Sequence, residues 1–161
     1  MVKECIISID GVDKTGKDSV RREIIRLSRG KILVKVRTFI SQIAYSRIYN
    51  RMIDEEFFIQ KMFEYQKIGE KYFMLTTDYE ILRDRFIQHR ESDLSVTSIK
   101  EHSRIFDEVV QVLEGRGIHI LHVDTSYDSV LETAHSIVCQ TYLKIPLYFF
   151  SFFLILLYQT V

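Results

Sequence analysis

Apolar positions along the chain fall into two alternating patterns, which predict strands and helices in turn. Short runs rich in β-forming residues predict four strands, at 5–9, 31–36, 72–76 and 118–123. Apolar residues at helical spacing predict a helix from 17 to a stop at Gly30, helical structure over 39–68 with a break near 54, and helices over 78–87, 99–113 and 130–139. Strands that alternate with helices favour a parallel α/β sheet with helices on both faces, and therefore three layers.

A glycine-containing loop joins the first predicted strand to the first predicted helix. It reads Gly11-Val12-Asp13-Lys14-Thr15-Gly16-Lys17. Two glycines let the backbone curl so that successive N–H groups point into one concavity, and the helix that follows adds the positive end of its dipole. Lys17 stands where a phosphate-binding loop, or P-loop, has the lysine that reaches the outer phosphates. The plainer alternative is a turn between a strand and a helix, but the elements predicted on either side favour the P-loop.

The residues after Lys17 bear on a metal ion. A P-loop usually continues with a Ser or Thr whose hydroxyl holds Mg²⁺, whereas this chain has Asp18 there and Ser19 one position later. A carboxylate can bind Mg²⁺ directly or through water, so Asp18 and Ser19 are the predicted metal ligands, with the geometry left open. The predicted nucleotide-binding residues are Gly11, Asp13, Lys14, Thr15, Gly16, Lys17, Asp18 and Ser19.

The composition is that of one globular domain with a core of its own. The chain has 161 residues, 47% of them hydrophobic, and its net charge of zero gives no support for an extended nucleic-acid surface. Cys5 in the first strand and Cys139 in the last helix predict free, buried thiols in a reducing compartment. The chain runs straight into its first strand with no signal-peptide pattern, so a cytoplasmic location is expected.

The end of the chain differs from the rest, so we predict a domain over 1–141 and a hydrophobic tail over 142–161. Residues 145–158 carry no charge, and Lys144 and Pro146 stand at their entrance. The uncharged stretch is shorter than the roughly 20 apolar residues that span a bilayer. Three alternatives stay open: a membrane anchor, an element packed on the domain, or an extension foreign to the fold.

Three segments of the chain resemble the thymidylate kinase and deoxynucleoside kinase group of P-loop kinases, and the likeness covers most of residues 3–140. The loop at 10–17 (DGVDKTGK) is similar to the loop of thymidylate kinases. The stretch 37–45 (RTFISQIAY) is similar to the family's Asp-Arg segment with its downstream Ser and Ala-Tyr. The stretch 80–85 (EILRDR), with Arg90 beyond it, is similar to the entry into the family's arginine-bearing lid.

The resemblance implies a three-layer P-loop kinase-like fold and roles for five side chains. Lys17 would neutralise charge on the transferring phosphoryl group, Asp10 would serve as base, and Arg37 would hold an acceptor phosphate. Arg85 and Arg90 fall where the family has a mobile lid that closes over the reacting group. The plain alternatives are that Asp10 is an ordinary turn carboxylate, that Arg37 is a surface arginine, and that Arg85 and Arg90 belong to a solvated helix end.

Other positions of the family pattern are matched less closely. Asp13 resembles the acceptor-side carboxylate of thymidylate kinases, Tyr45 would stack on a base or belong to the core, and 124–126 would lie near the adenine. The chain departs from the pattern at Val36, where the family has Asp, and at Asp18 in place of the metal-binding hydroxyl. The segment between the first helix and Arg37 is also shorter than in full-length members.

Two functions follow from these residues. The first is ATP-dependent phosphoryl transfer, with Mg²⁺, to a nucleoside or nucleoside monophosphate as the small-molecule partner. The alternative is a nucleotide-binding protein without turnover, which Val36 and Asp18 favour. A GTPase is disfavoured because the chain has no Asn-Lys-x-Asp guanine motif. A homodimer and a membrane contact through the tail are left open.

Overall fold

The computed structural model describes residues 5–88 and 96–142 of the chain. Within them, four strands form one sheet: β1 (Cys5–Asp10), β2 (Ile32–Val36), β3 (Lys71–Thr76) and β4 (Ile120–Asp124). Six helices accompany the strands: α1 (Lys17–Leu27), α2 (Phe39–Ile48), α3 (Glu55–Lys67), α4 (Tyr79–Gln88), α5 (Val96–Gly115) and α6 (Val130–Tyr142). The predicted strands and helices are confirmed, with modest shifts at their ends.

The sheet is parallel throughout, and its strand order is β2-β1-β3-β4. The carboxyl ends of neighbouring strands lie close together, since Ile9 pairs with Val36 at the end of β2 and Thr76 pairs with Asp124 at the ends of β3 and β4. All four carboxyl ends therefore meet at one edge, where ligands of open α/β sheets bind. The predicted three-layer fold is confirmed.

Side chains that alternate along the strands build a separate core on each face of the sheet. Ile7 and Ile9 of β1 point to the face covered by α1 and α6, where Ile24 and Ile137 complete the core. The opposite face is covered by the helices from α2 to α5, whose buried residues pack with Tyr72 and Met74 of β3. Because strand side chains alternate, Ser8 and Asp10 of β1 face this second side.

The prediction of buried thiols is wrong. Cys5 is half-buried and Cys139 is exposed, and both are free rather than joined in a disulfide. The buried stripe of α6 runs through Ala134 and Ile137, so Cys139 falls on the outer face of the helix beside His135.

The predicted tail lies almost wholly outside the described residues, because these end at Tyr142, the last residue of α6. The division of the chain at 141 therefore stays a prediction. Among residues 5–88 and 96–142, no helix has the length and apolar character needed to cross a membrane.

Candidate functional site

The loop between β1 and α1 curls through backbone conformations that favour glycine. Gly11 has φ 146° and Gly16, directly before α1, has φ 90°. A Cβ on Gly11 would lie 2.5 Å from the carbonyl oxygen of Leu75, so only glycine fits between the loop and β3. Lys14 is left-handed as well, with φ 68°, which is uncommon for a side-chain-bearing residue. The glycines predicted to shape the loop therefore occupy positions that need them.

Lys17 lies inside the curl of the loop and is only 3% exposed. Its Nζ donates hydrogen bonds to the carbonyl oxygens of Gly11, at 2.7 Å, and Val12, at 2.6 Å. The carboxylate of Asp13 lies 3.9 Å away and favours the charged amine. Burial outweighs these attractions and lowers the pKa of Lys17 to about 8. The lysine is thus a cation held within the loop between β1 and α1 and largely shielded from water.

Asp10 is fully buried and ties the end of β1 to the start of α2. Its Oδ1 accepts hydrogen bonds from the backbone N–H of Thr38, at 2.7 Å, and of Ser41, at 3.1 Å, and from the Ser41 hydroxyl at 2.6 Å. The Thr38 hydroxyl donates to Oδ2. Burial raises the pKa of Asp10, although these hydrogen bonds oppose the rise. The carboxylate therefore caps α2, a contribution that sequence reasoning missed, and its role as a base stays a prediction.

Arg37 follows β2 and lies between two carboxylates of the loop region. Its guanidinium is 3.5 Å from Asp13 and 3.5 Å from Asp18, while half of the side chain, 51%, stays exposed. Its backbone is left-handed, with φ 54°, which turns the chain sharply from the strand toward α2. The structure thus brings Arg37, Asp13, Asp18 and Lys17 together, and their roles in a shared site stay a prediction.

Arg85 of α4 reaches back to the loop and is not part of a solvated helix end. It donates to the carbonyl oxygens of Thr125, at 2.8 Å, and Lys14, at 3.3 Å. The Thr125 hydroxyl donates to the carbonyl oxygen of Thr15 at 3.2 Å. The residues after β1, β3 and β4 are therefore linked into one frame. Arg90, the other predicted lid residue, lies outside the described residues.

Two of the cavities at this edge of the sheet adjoin each other. The larger, of about 490 Å³, is lined by Asp13, Lys14, Thr15, Gly16, Lys17, Asp18, Ser19, Val20, Arg37, Arg85, Thr125, Asp128, Val130 and Thr133. The smaller, of about 330 Å³, is lined by Asp13, Arg37, Ser41, Gln42, Tyr45, Tyr49 and Arg51. Asp13 and Arg37 line both, so they form the boundary between the two cavities.

The larger cavity includes residues that sequence reasoning missed. Asp128, Val130 and Thr133 come from the segment after β4 and from the first turn of α6. The signal that could have found them is their place after the carboxyl end of a strand, where sheets of this class bind ligands.

Tyr45 both packs in the core and borders the smaller cavity. Its ring stacks on Tyr49 at a centroid distance of 5.9 Å and meets Phe106 edge-on at 5.4 Å. Its hydroxyl is buried beside the carboxylate of Asp13. Burial, followed by the charge of Asp13, raises the pKa of the phenol, which therefore stays protonated. Both alternatives for Tyr45, core packing and a ligand contact, are compatible with this place.

The side chains predicted to bind a metal ion, Asp18 and Ser19, lie beside the loop. Asp18 is 60% exposed, and the Ser19 hydroxyl accepts a hydrogen bond from Arg22 at 3.4 Å. Residues 5–88 and 96–142 contain no group of three or more His, Cys, Asp or Glu side chains placed so that they could hold a metal ion. Mg²⁺ is commonly held by one or two carboxylates together with substrate phosphates and water, so Asp18 and Ser19 fit that ion in the presence of a nucleotide.

These features define a three-layer α/β fold with a glycine-framed loop at the carboxyl edge of its parallel sheet. Among solved structures, the chain is similar to the YorR protein of Bacillus subtilis, which was crystallised in complex with phosphorylated GDP. The TM-score is 0.71 at 16% sequence identity, and the match covers 84% of this chain and 94% of that chain. At this identity the likeness shows the fold alone. No family model matches the chain, and no curated protein matches it significantly.

Proposed function

We propose that the protein transfers a phosphoryl group from a nucleoside triphosphate to a nucleoside or nucleoside monophosphate. The observation that carries this proposal is the pair of cavities that meet at Asp13 and Arg37, with Lys17 beside the boundary. A transferase for two nucleotide-sized substrates needs two adjoining sites, whereas a protein that only binds or hydrolyses a nucleotide needs one. The structural neighbour's complex with phosphorylated GDP supports a nucleotide as one of the ligands.

The larger cavity is proposed to bind the triphosphate. The loop N–H groups and the start of α1 would cradle its phosphates, and Lys17 would supply a full positive charge. Mg²⁺ held at Asp18 and Ser19 would neutralise further phosphate charge. ATP is the phosphoryl donor that the family resemblance implies. The loop would contact the phosphates and not the base, so it does not itself select adenine.

The smaller cavity is proposed to hold the acceptor. Arg37, at the boundary, would contact the phosphoryl group during its transfer and stabilise its negative charge. Arg85 would keep the loop in place through its hydrogen bonds to Lys14 and Thr125. Arg90 remains a proposed lid residue. Asp10 would act by fixing α2 and with it the acceptor wall, and a role as base would require it to give up one of its hydrogen bonds.

The test is triphosphate consumption by the purified full chain with Mg²⁺, measured for ATP and GTP against a panel of deoxynucleosides and their monophosphates. Acceptor-dependent turnover would establish a kinase and name its substrate. Nucleotide binding with no turnover for any acceptor would contradict transfer and favour the alternative, a nucleotide-binding protein, for which the departures at Val36 and Asp18 are the supporting observation. Turnover without an acceptor would indicate hydrolysis.

We expect nucleotide binding to weaken as the pH rises through about 8. In the free protein burial places the pKa of Lys17 near 8. A bound polyphosphate favours the charged amine and raises this pKa, so the affinity is highest below pH 8 and falls above it, by up to about tenfold per pH unit. Titrations between about pH 7.5 and about 8.5 avoid ionisation of the nucleotide phosphates and of the nucleotide bases.

The matched control for this pH dependence is Lys17→Arg. A guanidinium stays charged throughout the range, so any binding that this variant retains should not change with pH. An affinity of the natural protein that is constant over the same range would contradict the assignment of Lys17.

A further inference from the structure

One exposed carboxylate, Asp128, lies in the wall of the larger cavity. Asp128 lines the cavity, and it makes no hydrogen bond or ion pair with any other described residue. Its neighbours in sequence are engaged, since Asp124 accepts from the backbone N–H of Ser126 at 2.8 Å and Glu132 accepts from that of Ser129 at 2.8 Å. The segment therefore uses its other acidic side chains to hold its shape and leaves Asp128 to the cavity.

The segment that carries Asp128 is fixed to the rest of the site. The backbone N–H of Thr125 donates to the carbonyl oxygen of Thr76 at 2.9 Å, and the Thr125 and Thr77 hydroxyls lie 2.6 Å apart. The Ser126 hydroxyl accepts from the backbone N–H of Asp78 at 2.7 Å. These bonds tie the segment to the end of β3 before α6 begins. A side chain on so constrained a segment is preorganised for recognition.

The surroundings of Asp128 separate it from the part of the cavity that suits phosphate. The loop and Lys17 supply the N–H groups and the positive charge, whereas the segment after β4 adds Val130 and Thr133 beside Asp128. A carboxylate repels phosphate, and the side chain of Val130, which is 43% exposed, offers an apolar surface to a ring. This side of the cavity is therefore suited to the base of the nucleotide.

We propose that the base bound in the larger cavity is guanine, recognised by Asp128. This rests on the proposed function, in which that cavity holds a nucleotide. A carboxylate only accepts hydrogen bonds, and guanine presents two donors side by side, the ring N1–H and the 2-amino group. Adenine presents one amino group next to a ring nitrogen lone pair, which would face the carboxylate with like polarity. The carboxylate thus favours guanine and also disfavours adenine.

The chain lacks the Asn-Lys-x-Asp motif of GTPases, so the proposed contact would be made without that motif. A guanine nucleotide in this cavity also differs from ATP, the nucleotide that the family resemblance implies. A bidentate contact between a side chain and a base typically discriminates by tenfold or more. We therefore expect GDP to bind the protein at least about ten times more tightly than ADP in the presence of Mg²⁺.

The experiment is a calorimetric titration of the full chain with GDP, ADP and xanthosine diphosphate, with Asp128→Asn as the test variant. Xanthine has a carbonyl oxygen in place of the 2-amino group, so an amide side chain matches it by donating one hydrogen bond and accepting another. The variant should lose about tenfold or more in GDP affinity and gain in affinity for xanthosine diphosphate. Glu64→Gln, which removes an exposed carboxylate of α3 outside both cavities, is the charge-matched control and should bind as the natural protein does.

The possible results distinguish a failure of the guanine assignment from a failure of the proposed nucleotide site. Equal binding of GDP and ADP, or tighter binding of ADP, overturns the assignment of guanine and leaves the nucleotide site intact. A preference for GDP that persists unchanged in Asp128→Asn overturns the role of Asp128. Failure of every diphosphate to bind the natural protein overturns the proposed function and this inference with it.

Discussion

Replacing Lys17 with alanine is expected to reduce triphosphate turnover by about 100- to 1,000-fold, the usual loss when one preorganised charge donor is removed from a water-poor site. Lys17 is almost completely buried and its amine is held at the carbonyl oxygens of Gly11 and Val12, so solvent cannot replace it. Nucleotide affinity should fall together with turnover, because the cation contacts phosphates in both the ground state and the transition state. Turnover assays and calorimetric titration measure the two effects.

The matched control is Lys61→Ala, which removes a lysine from the surface of α3, where it pairs with Glu64. This variant should keep its affinity and turnover. Thermal unfolding separates a functional loss from a folding defect, since Lys17→Ala relieves the burial of a charge and should not unfold the domain. Near-normal nucleotide affinity in a folded Lys17→Ala protein would contradict a phosphate-binding role for the loop.

Replacing Gly11 with alanine is expected to lower the free energy of unfolding by about 2 to 4 kcal/mol and to abolish nucleotide binding. The added Cβ would lie 2.5 Å from the backbone oxygen of Leu75 and 3.0 Å from the Thr15 hydroxyl. Neither can move freely, because Leu75 belongs to a central strand and the Thr15 hydroxyl donates to Val12. The backbone at φ 146° is also strained for any residue with a side chain.

Gly115→Ala provides the comparison for this substitution. Gly115 ends α5, and a Cβ there meets no atom within 4 Å. Alanine at the end of a helix should be neutral or should stabilise the protein by up to about 1 kcal/mol. Urea denaturation of both variants gives the free energies. Equal stability of the two variants would show that the loop can relax away from β3, and would contradict a close approach that only glycine permits.

The order of strands and helices could be predicted from the sequence because it depends on local patterns. The β-forming runs are short, and the segments between them carry apolar residues at helical spacing. The type of each element can therefore be recognised from its own residues. The parallel sheet followed from the alternation alone. The burial of the cysteines was mispredicted, since the face of α6 that packs inward passes through Ile137 and leaves Cys139 outside.

Within the candidate site, the sequence predicted the loop and its lysine but not the use of the side chains around them. The role of Asp10 as the cap of α2 depends on the pairing of β1 with β2, which brings Thr38 and Ser41 to it across 28 and 31 residues. Arg85 was predicted only by resemblance. Its contact with Lys14 requires α4 to lie over the loop, and no local pattern specifies that arrangement.

The sequence by itself determined the glycine-framed loop, the charge at Lys17 and the alternation of strands and helices, because each depends on residues close together in the chain. Only the tertiary structure decided that Asp13 and Arg37 separate two cavities and that Asp128 faces the larger one. The physical reason is the parallel sheet, whose strand order and register bring the segments after four distant strands to a single edge.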